Sequence, residues 1–412
     1  MIALRYAKER IKAALDEISR LKDSDFPHGH PRDALDVIEG TLLTRRGALD
    51  SLTTANQKDV ILAACADALV ELLVLHPYMG FVLRSTNVRN SFEVYRPFLG
   101  LAKAILGPDI KLILSSEWDY TPFVYRITDE LPGFVLIGLP ASESGNPLLV
   151  PLAGHELGHT TWQLSKLKDK FSGKLMDAIF ENIEARWNEF EHIFHPIPVA
   201  DLRGNLFVSN ALTTFHLSAL AQAEETFCDF LGIRIFAESY FYAYSYLISP
   251  GTTWERSLEY PKELTRINNM ILAAKEFGLE QYIPPGFDES FLDHADSADG
   301  THNLLMSAAD YAVEKIVQDL AQEANKIATD ANIPERSDEN IQRSYECFKM
   351  LVPTSRTKSL ADIINAGCKG YHDDSLWAGK KELEESKFSI LFDVVLKSIE
   401  VLEIEAILGA GA

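Results

Sequence analysis

The chain has 412 residues, of which 47 % are hydrophobic and 24 % are charged, a composition typical of globular proteins. Its 39 Lys and Arg against 60 Asp and Glu give a formal net charge of −21, which disfavours binding to nucleic-acid phosphates or anionic lipid headgroups. Four scattered cysteines without a Cys-x-x-Cys pair argue against a disulfide framework or a cysteine zinc cluster, and they fit a reducing compartment.

The first region, residues 1–107, is predicted to be helical. Its opening stretch, "MIALRYAKERIKAALDEISRLKD", has apolar residues at helical spacing and lacks the apolar segment and cleavage site of a signal peptide. We therefore expect a cytoplasmic location. The longest apolar stretch, "DVILAACADALVELLVLHPYMGFVL", contains Asp67, Glu71 and Pro77, so we expect a buried or half-buried helix and no membrane span.

The second region, residues 108–250, begins with three short segments rich in Val, Ile, Leu and aromatic residues. These segments, "IKLILSSEWDY", "TPFVYRITD" and "GFVLIGLPA", predict strands, and the first two could pair as a hairpin. The third could be an edge strand that binds a peptide, or a central strand of the core. Helical patterns then continue into the third region, residues 251–412, without an internal repeat.

The stretch "LLVPLAGHELGHTTWQL" carries the chemically informative motif. Pro151 suits the first turn of a helix, and His155 and His159 are four residues apart, so both imidazoles project from one face. Two such nitrogens can hold one Zn²⁺. Glu156 lies about 100° around the helix from His155, where its carboxylate can take a proton from a metal-activated water.

A third ligand is needed for a zinc site. The metzincin extension fails because Trp162 and Ser165 stand where Gly and His are required, and Gly158 departs from the deformylase pattern. The remaining source is an acid on a second helix. In "SALAQAEETFCDFLG", Glu225 and Asp229 share a face of an apolar helix, where buried carboxylates require a compensating cation.

The combined pattern resembles the gluzincin zinc peptidases, which pair His-Glu-x-x-His with a downstream Glu-x-x-x-Asp helix. The resemblance covers two helices and implies that His155, His159 and Glu225 are metal ligands. It implies that Glu156 is the general base and that Asp229 accepts a ring N–H from a ligand histidine.

Several assignments stay open at this point. The acids of the intervening helix are rivals of Glu225 as third ligand, but they lack the Glu-x-x-x-Asp pairing: Glu181, Glu184, Glu189 and Glu191. Glu224 is the neighbour of Glu225 and points to a different helical face. A donor to the reaction's oxyanion is also required, and four residues in loop-like sequence are candidates without an assignment: His294, His302, Tyr371 and His372.

We therefore expect a mainly α fold with a small β-sheet (α+β), built as a zincin-like metallopeptidase core with large helical additions. The expected activity is zinc-dependent hydrolysis of a peptide or protein substrate. The alternative is a non-catalytic metal-binding or interaction scaffold with a degenerate site. We expect no nucleic-acid or membrane partner, and the sequence makes no prediction of the oligomeric state.

Overall fold

In the computed structural model, the described residues are 2–53, 57–87, 93–125, 130–195, 197–203, 205, 209–251, 256–293, 295, 297, 299–355, 357 and 359–410. Most of them are helical, and three short strands form one sheet. This confirms the prediction of a mainly α fold with a small β-sheet.

Contacts between Cα atoms divide the chain into two compact units. The first comprises Met1–Tyr95 and Pro108–Gly145, and the second comprises Arg96–Gly107 and Asn146–Ala412. This division differs from the three regions expected from the sequence, because the strands pack with the N-terminal helices and all later helices form a single unit.

The first unit contains three long helices and the sheet. Its elements are α1 (Ile2–Lys22), α2 (His30–Asp50), α3 (Lys58–Arg84), β1 (Lys111–Glu117), β2 (Phe123–Tyr125) and β3 (Phe134–Pro140). The apolar positions of α1 are buried at helical spacing, as the sequence predicts, and those of α2 are buried in the same way.

The sheet has the order β1-β3-β2, which corrects the expected hairpin of β1 with β2. β1 is parallel to β3, with Lys111 opposite Phe134, and β2 is antiparallel to β3, with Val124 opposite Ile137. Every residue of β3 is buried. The sequence allowed β3 to be either an edge strand that binds a peptide or a central strand of the core. The structure shows that it is the central strand.

Helix α3 is more exposed than the sequence suggested. It is long and apolar enough to cross a membrane by length and composition, and only 22 % of its most apolar window is buried. Val70 and Leu73 are 60 % and 65 % exposed. Glu71, however, accepts hydrogen bonds from Arg45 of α2, which ties this helix to a charged neighbour. The absence of a membrane partner remains an expectation.

The second unit is built from helices and the loops that connect them. Its helices are α4 (Tyr95–Leu106), α5 (Val150–Leu164), α6 (Leu167–Ala185), α7 (Trp187–Phe194), α8 (Ser209–Phe236), α9 (Glu238–Ile248), α10 (Glu263–Glu276), α11 (Gly300–Asp330), α12 (Asp338–Lys349), α13 (Leu360–His372) and α14 (Lys387–Ala410). The single helix expected over residues 173–194 is broken at Arg186, which separates α6 from α7.

Helices α5 and α8 form the centre of this unit. Helix α5 is buried along most of its length: from Val150 to Trp162, every residue except His159 is buried. Helix α8 ends where Ala237 adopts a φ of 50°, a conformation that costs a non-glycine residue roughly 1–3 kcal/mol. The chain therefore turns sharply, and α9 comes back beside α5 and α8.

Candidate metal centre

The predicted site residues lie on the facing surfaces of α5 and α8. Two glycines of α5 allow the close approach. A Cβ atom at Gly158 would be 2.7 Å from the Cα atom of Cys228, and one at Gly154 would be 2.8 Å from the ring of Phe236. Side chains at these positions would separate the helices, so the glycines set the distance across which the site residues face each other.

His155 and His159 converge on Glu225. The Nε2 atom of His155 is 3.3 Å from one carboxylate oxygen of Glu225, and the Nε2 atom of His159 is 3.5 Å from the other. Ligands bound to zinc at about 2.05 Å with tetrahedral angles would be roughly 3.3 Å apart. These three side chains thus offer donor atoms of the kind that zinc binds, and the two nitrogen-to-oxygen distances are close to that spacing.

The other nitrogen of each imidazole is held by a carboxylate. His155 Nδ1 donates to Asp229 Oδ1 at 2.9 Å, and His159 Nδ1 donates to Glu224 Oε1 at 2.9 Å. With Nδ1 occupied in this way, Nε2 is the atom of each ring that faces Glu225 and would be left to bind a metal. The helical spacing alone put Glu224 on a different face, but its side chain is long enough to reach the ring of His159.

Arg266 of α10 is a member of the site that sequence reasoning missed. Its guanidinium donates to both oxygens of Asp229, at 2.6 and 2.9 Å, and its Nη2 atom is 3.5 Å from Glu225. The side chain is 11 % exposed. The excess of buried acids in "AEETFCD" could have signalled that a buried cation was required, although it could not have identified which one.

Tyr240 is the second residue that was missed. Its hydroxyl donates to Asp229 Oδ1 at 2.6 Å and lies 3.2 Å from His155 Nδ1. Tyr240 stands in an aromatic run of α9, and nothing in that local pattern distinguishes it from a core residue. The sharp turn at Ala237 is what returns this ring to the helix that precedes it.

The charges of the site fix its protonation in the metal-free protein. Burial lowers the pKa of His155, but hydrogen bonds to Asp229 and Glu225 outweigh burial and raise it to about 10. Burial raises the pKa of Asp229, but Arg266 and His155 outweigh it and hold that pKa well below the usual range. Glu225 follows the same pattern, with a pKa lowered mainly by His155 against the effect of burial.

Glu156 lies next to the two histidines on α5 and is 7 % exposed. Burial raises its pKa, and the nearby charges of His155 and His159 offset part of that rise. A carboxylate with a raised pKa is a better proton acceptor than an exposed glutamate. This is the property that a general base needs.

Cys228 is an alternative partner for the histidines. Ligand atoms of His155, His159 and Cys228 all lie within 4.8 Å of one another, so these three could hold a metal ion. Burial raises the pKa of the Cys228 thiol well above its usual value, and the charges of Glu225 and Glu224 raise it further. In the metal-free protein the thiolate is thus disfavoured, whereas the carboxylate of Glu225 is favoured in its charged form.

Tyr260 lies near the candidate metal centre and is more exposed than the site residues described so far. It is 40 % exposed, and the charge of Glu225 is the largest of the causes that raise its pKa to about 12, with Glu156 contributing as well. The Arg266 guanidinium lies 5.6 Å from the centre of its ring. Its hydroxyl is thus favoured in its protonated, donor form by the charges of both carboxylates.

The sequence candidates for the oxyanion donor lie in other surroundings. His372 stacks on Tyr242 with ring centres 4.2 Å apart, and Tyr371 stacks on Phe388 at 4.4 Å. His302 lies in the first turn of α11. His294 falls outside the described residues.

The rival third ligands belong to exposed surfaces of α6 and α7. Glu181 accepts hydrogen bonds from Tyr311 and Lys315 of α11. Glu184 pairs with Arg203, and Glu189 pairs with Arg186. Glu191 is exposed. The partners of Glu181, Glu184 and Glu189 thus explain the charges of these residues without a bound metal.

No protein-family model matches the chain, and neither the curated proteins nor the solved structures include one that is significantly similar to it.

Proposed function

We propose that the protein is a zinc-dependent peptidase with a zincin-like core, in which His155, His159 and Glu225 hold the metal. The observation that carries the proposal is the pair of Nε2-to-carboxylate distances, 3.3 and 3.5 Å, with each Nδ1 atom already bonded to an acid. Imidazole and carboxylate together are a donor set that zinc prefers. A bound zinc ion would supply Lewis acidity, which polarises a carbonyl group and makes a water molecule more acidic.

Residues of the chain would supply the general base, the orientation of the histidines and the oxyanion donor. The Glu156 carboxylate would accept a proton from the attacking water and deliver it to the leaving amine nitrogen. Asp229 and Glu224 would keep the two imidazoles in the tautomer that leaves Nε2 free. Tyr260 O–H, a half-exposed donor beside Glu225 and Glu156, would stabilise the developing oxyanion.

Peptides are the proposed substrate class because the motif pair resembles that of the gluzincin peptidases. The acid set also suits amide hydrolysis chemically, since a poor amine leaving group requires a proton from a nearby acid. Buried Glu156, whose pKa is raised by burial, could carry that proton.

The decisive experiment combines metal analysis with hydrolysis in a Glu156→Gln variant. The wild-type chain should bind one zinc per molecule and cleave a mixture of fluorescence-quenched peptides. Glu156→Gln should keep the zinc and lose a factor of roughly 10²–10⁴ in rate. Glu276→Gln, an exposed acid of α10, is the matched control and should change neither quantity.

The outcomes separate the proposal from its alternatives. Hydrolysis that survives in Glu156→Gln would show that the assigned base is wrong. Zinc binding without hydrolysis in the wild type would favour the non-catalytic metal-binding scaffold. Protein that binds no zinc after purification without chelators, and takes up none when it is added, would overturn the metal site itself.

A further inference from the structure

Two adjoining cavities lie on the side of α9 that faces away from the metal centre. Tyr240 and Tyr244 share one face of this helix and contact Asp229 and Glu263. Tyr242 is about 200° around the helix from Tyr240, and it lines both cavities. The cavities are therefore distinct from the candidate metal centre, although one helix borders both.

The smaller cavity has a volume of about 240 Å³ and an apolar wall. Side chains of α9, of α13 and of the turn before α5 form this wall, namely Leu148, Leu149, Tyr242, Ala243, Tyr246 and Tyr371. Three aromatic rings around a space of this size provide a surface on which another aromatic group can stack. Apolar walls of this kind are typical of ligand pockets.

The larger cavity has a volume of about 580 Å³ and carries charges of both signs. The guanidinium of Arg336 is already paired within the protein, since it donates to both oxygens of Glu238 and also to Asp338. Lys369 donates to the neutral Gln342 at 2.7 Å and lies over the ring of Tyr345, so its ammonium forms no direct ion pair among the described residues and could approach an anion. Asp373 also borders this cavity and supplies a negative charge.

The wall between the two cavities is a stacked pair of rings. Tyr242 and His372 have ring centres 4.2 Å apart and an interplanar angle of 25°, and both residues line both cavities. A ligand could therefore place an apolar group on one side of this pair and polar groups on the other.

Asn365 supplies a buried donor that nothing else uses. Its Oδ1 atom accepts the backbone N–H of Ser239 at 2.9 Å, which fixes the orientation of the amide. The Nδ2 atom therefore faces the other way, and it has no hydrogen-bond partner among the described residues. Asn365 is 1 % exposed and lines the larger cavity. A buried donor without a partner is destabilising, so a ligand acceptor that reaches this nitrogen would be held there.

We propose that the two cavities together bind a free amino acid with a large apolar side chain. The side chain would occupy the apolar cavity against Tyr242, Tyr246 and Tyr371. The α-carboxylate would accept hydrogen bonds from Lys369 and Asn365, and the α-ammonium would lie near Asp373. A zwitterion fits better than a simple acid because the polar cavity presents both signs of charge. This site does not depend on the proposed peptidase activity.

The test is calorimetric titration of the full chain with L-phenylalanine, carried out both with zinc and with a chelator. Saturable binding at one site is expected in both conditions. Glycine, which cannot fill the apolar cavity, should bind at least tenfold more weakly. Lys369→Glu and Tyr246→Ala should each weaken L-phenylalanine binding at least tenfold. Lys369 is exposed and Tyr246 is 47 % exposed, so both variants should fold, which circular dichroism would check.

Two controls locate the binding. Lys326→Glu changes an exposed lysine of α11 and should leave the affinity unchanged. Addition of zinc should also leave it unchanged, because the metal centre lies on the other face of α9. Failure of L-phenylalanine to saturate the protein at about 10 mM, which corresponds to a binding free energy weaker than about 3 kcal/mol, would overturn the proposal. Binding that requires zinc, or that zinc abolishes, would overturn it as well, since the ligand would then occupy the metal centre.

Discussion

Gly158 of α5 lies so close to Cys228 of α8 that a Cβ atom added at residue 158 would be 2.7 Å from the Cys228 Cα atom. Glycine inside a helix costs about 1 kcal/mol relative to alanine, so its presence within the His-Glu-x-x-His segment requires a reason. The reason is the approach of two backbones, which brings the histidines of one helix to the acids of the other.

Gly158→Ala should therefore destabilise the protein although alanine favours helices. The clash is with backbone atoms that cannot rotate away, and overpacking of this kind costs about 1–3 kcal/mol. The measurement is the free energy of unfolding in denaturant. Gly173→Ala on α6 is the control, because nothing lies within 4 Å of the added Cβ atom, and this substitution should stabilise by about 0.4–1 kcal/mol. A Gly158→Ala protein as stable as the Gly173→Ala protein would contradict the packing argument.

The third ligand can be decided by comparing two neighbours on α8. Glu225→Gln should lower zinc affinity more than a hundredfold, because it removes the anion that lies 3.3 and 3.5 Å from the two Nε2 atoms. Cys228→Ala should lower it less than tenfold, because Glu225 and not Cys228 is the proposed third ligand. Competition with a chromophoric chelator measures both affinities. Glu184→Gln on α6 should have no effect. Retention of zinc by Glu225→Gln together with its loss in Cys228→Ala would reverse the assignment.

Arg266→Met should destabilise the metal-free protein by about 3–5 kcal/mol, the usual effect of removing one partner from a buried ion pair. Asp229 and Glu225 would then be buried without their guanidinium. With saturating zinc the loss should be smaller, because the metal compensates the same acids. Unfolding in denaturant, with chelator and with zinc, measures the difference. Arg343→Met removes an exposed pair with Glu339 and should cost less than about 1 kcal/mol. Equal losses with and without zinc would show that the metal does not share these carboxylates.

The stability of the metal-free protein should fall as the pH rises from about 6.5 toward 10. His155 has a folded-state pKa raised from 6.5 to about 10, so its stabilising charge is fully present below pH 6.5 and is lost as the pH rises through the folded pKa. Asp229 has a lowered pKa, so its contribution is present above its unfolded pKa and is lost only in acid. The expected decline is on the order of a few kcal/mol.

Denaturant unfolding at several pH values, with chelator present, measures this decline. His155→Gln cannot titrate in this range and should give a flatter profile between pH 6.5 and 10. Zinc affinity should show the opposite trend and increase with pH, because the metal must displace the proton from His155. A His155→Gln profile as steep as that of the wild type would assign the decline to other groups.

The sequence by itself determined the helical character of the chain, the helix that carries His155 and His159, and the helix that carries Glu225 and Asp229. These features depend on local periodicity, because 3.6 residues per turn fixes which side chains share a face. The same rule recovered the buried face of α1. Local composition also located the three strands, but not their pairing, because the pairing of β1 and β2 with the central β3 depends on contacts between distant segments that no local pattern records.

Only the tertiary structure decided which side chains complete the metal centre. Arg266 lies 37 residues after Asp229 in the sequence and reaches it because α10 packs on α8. Tyr240 reaches the same carboxylate because the chain reverses at Ala237, and Glu224 reaches His159 because its side chain is long. Each of these contacts forms because two helices lie close enough for the side chains to meet. The sequence states which side chains are present, but the distances between helices depend on how the helices pack. Between α5 and α8, that distance is set by Gly154 and Gly158.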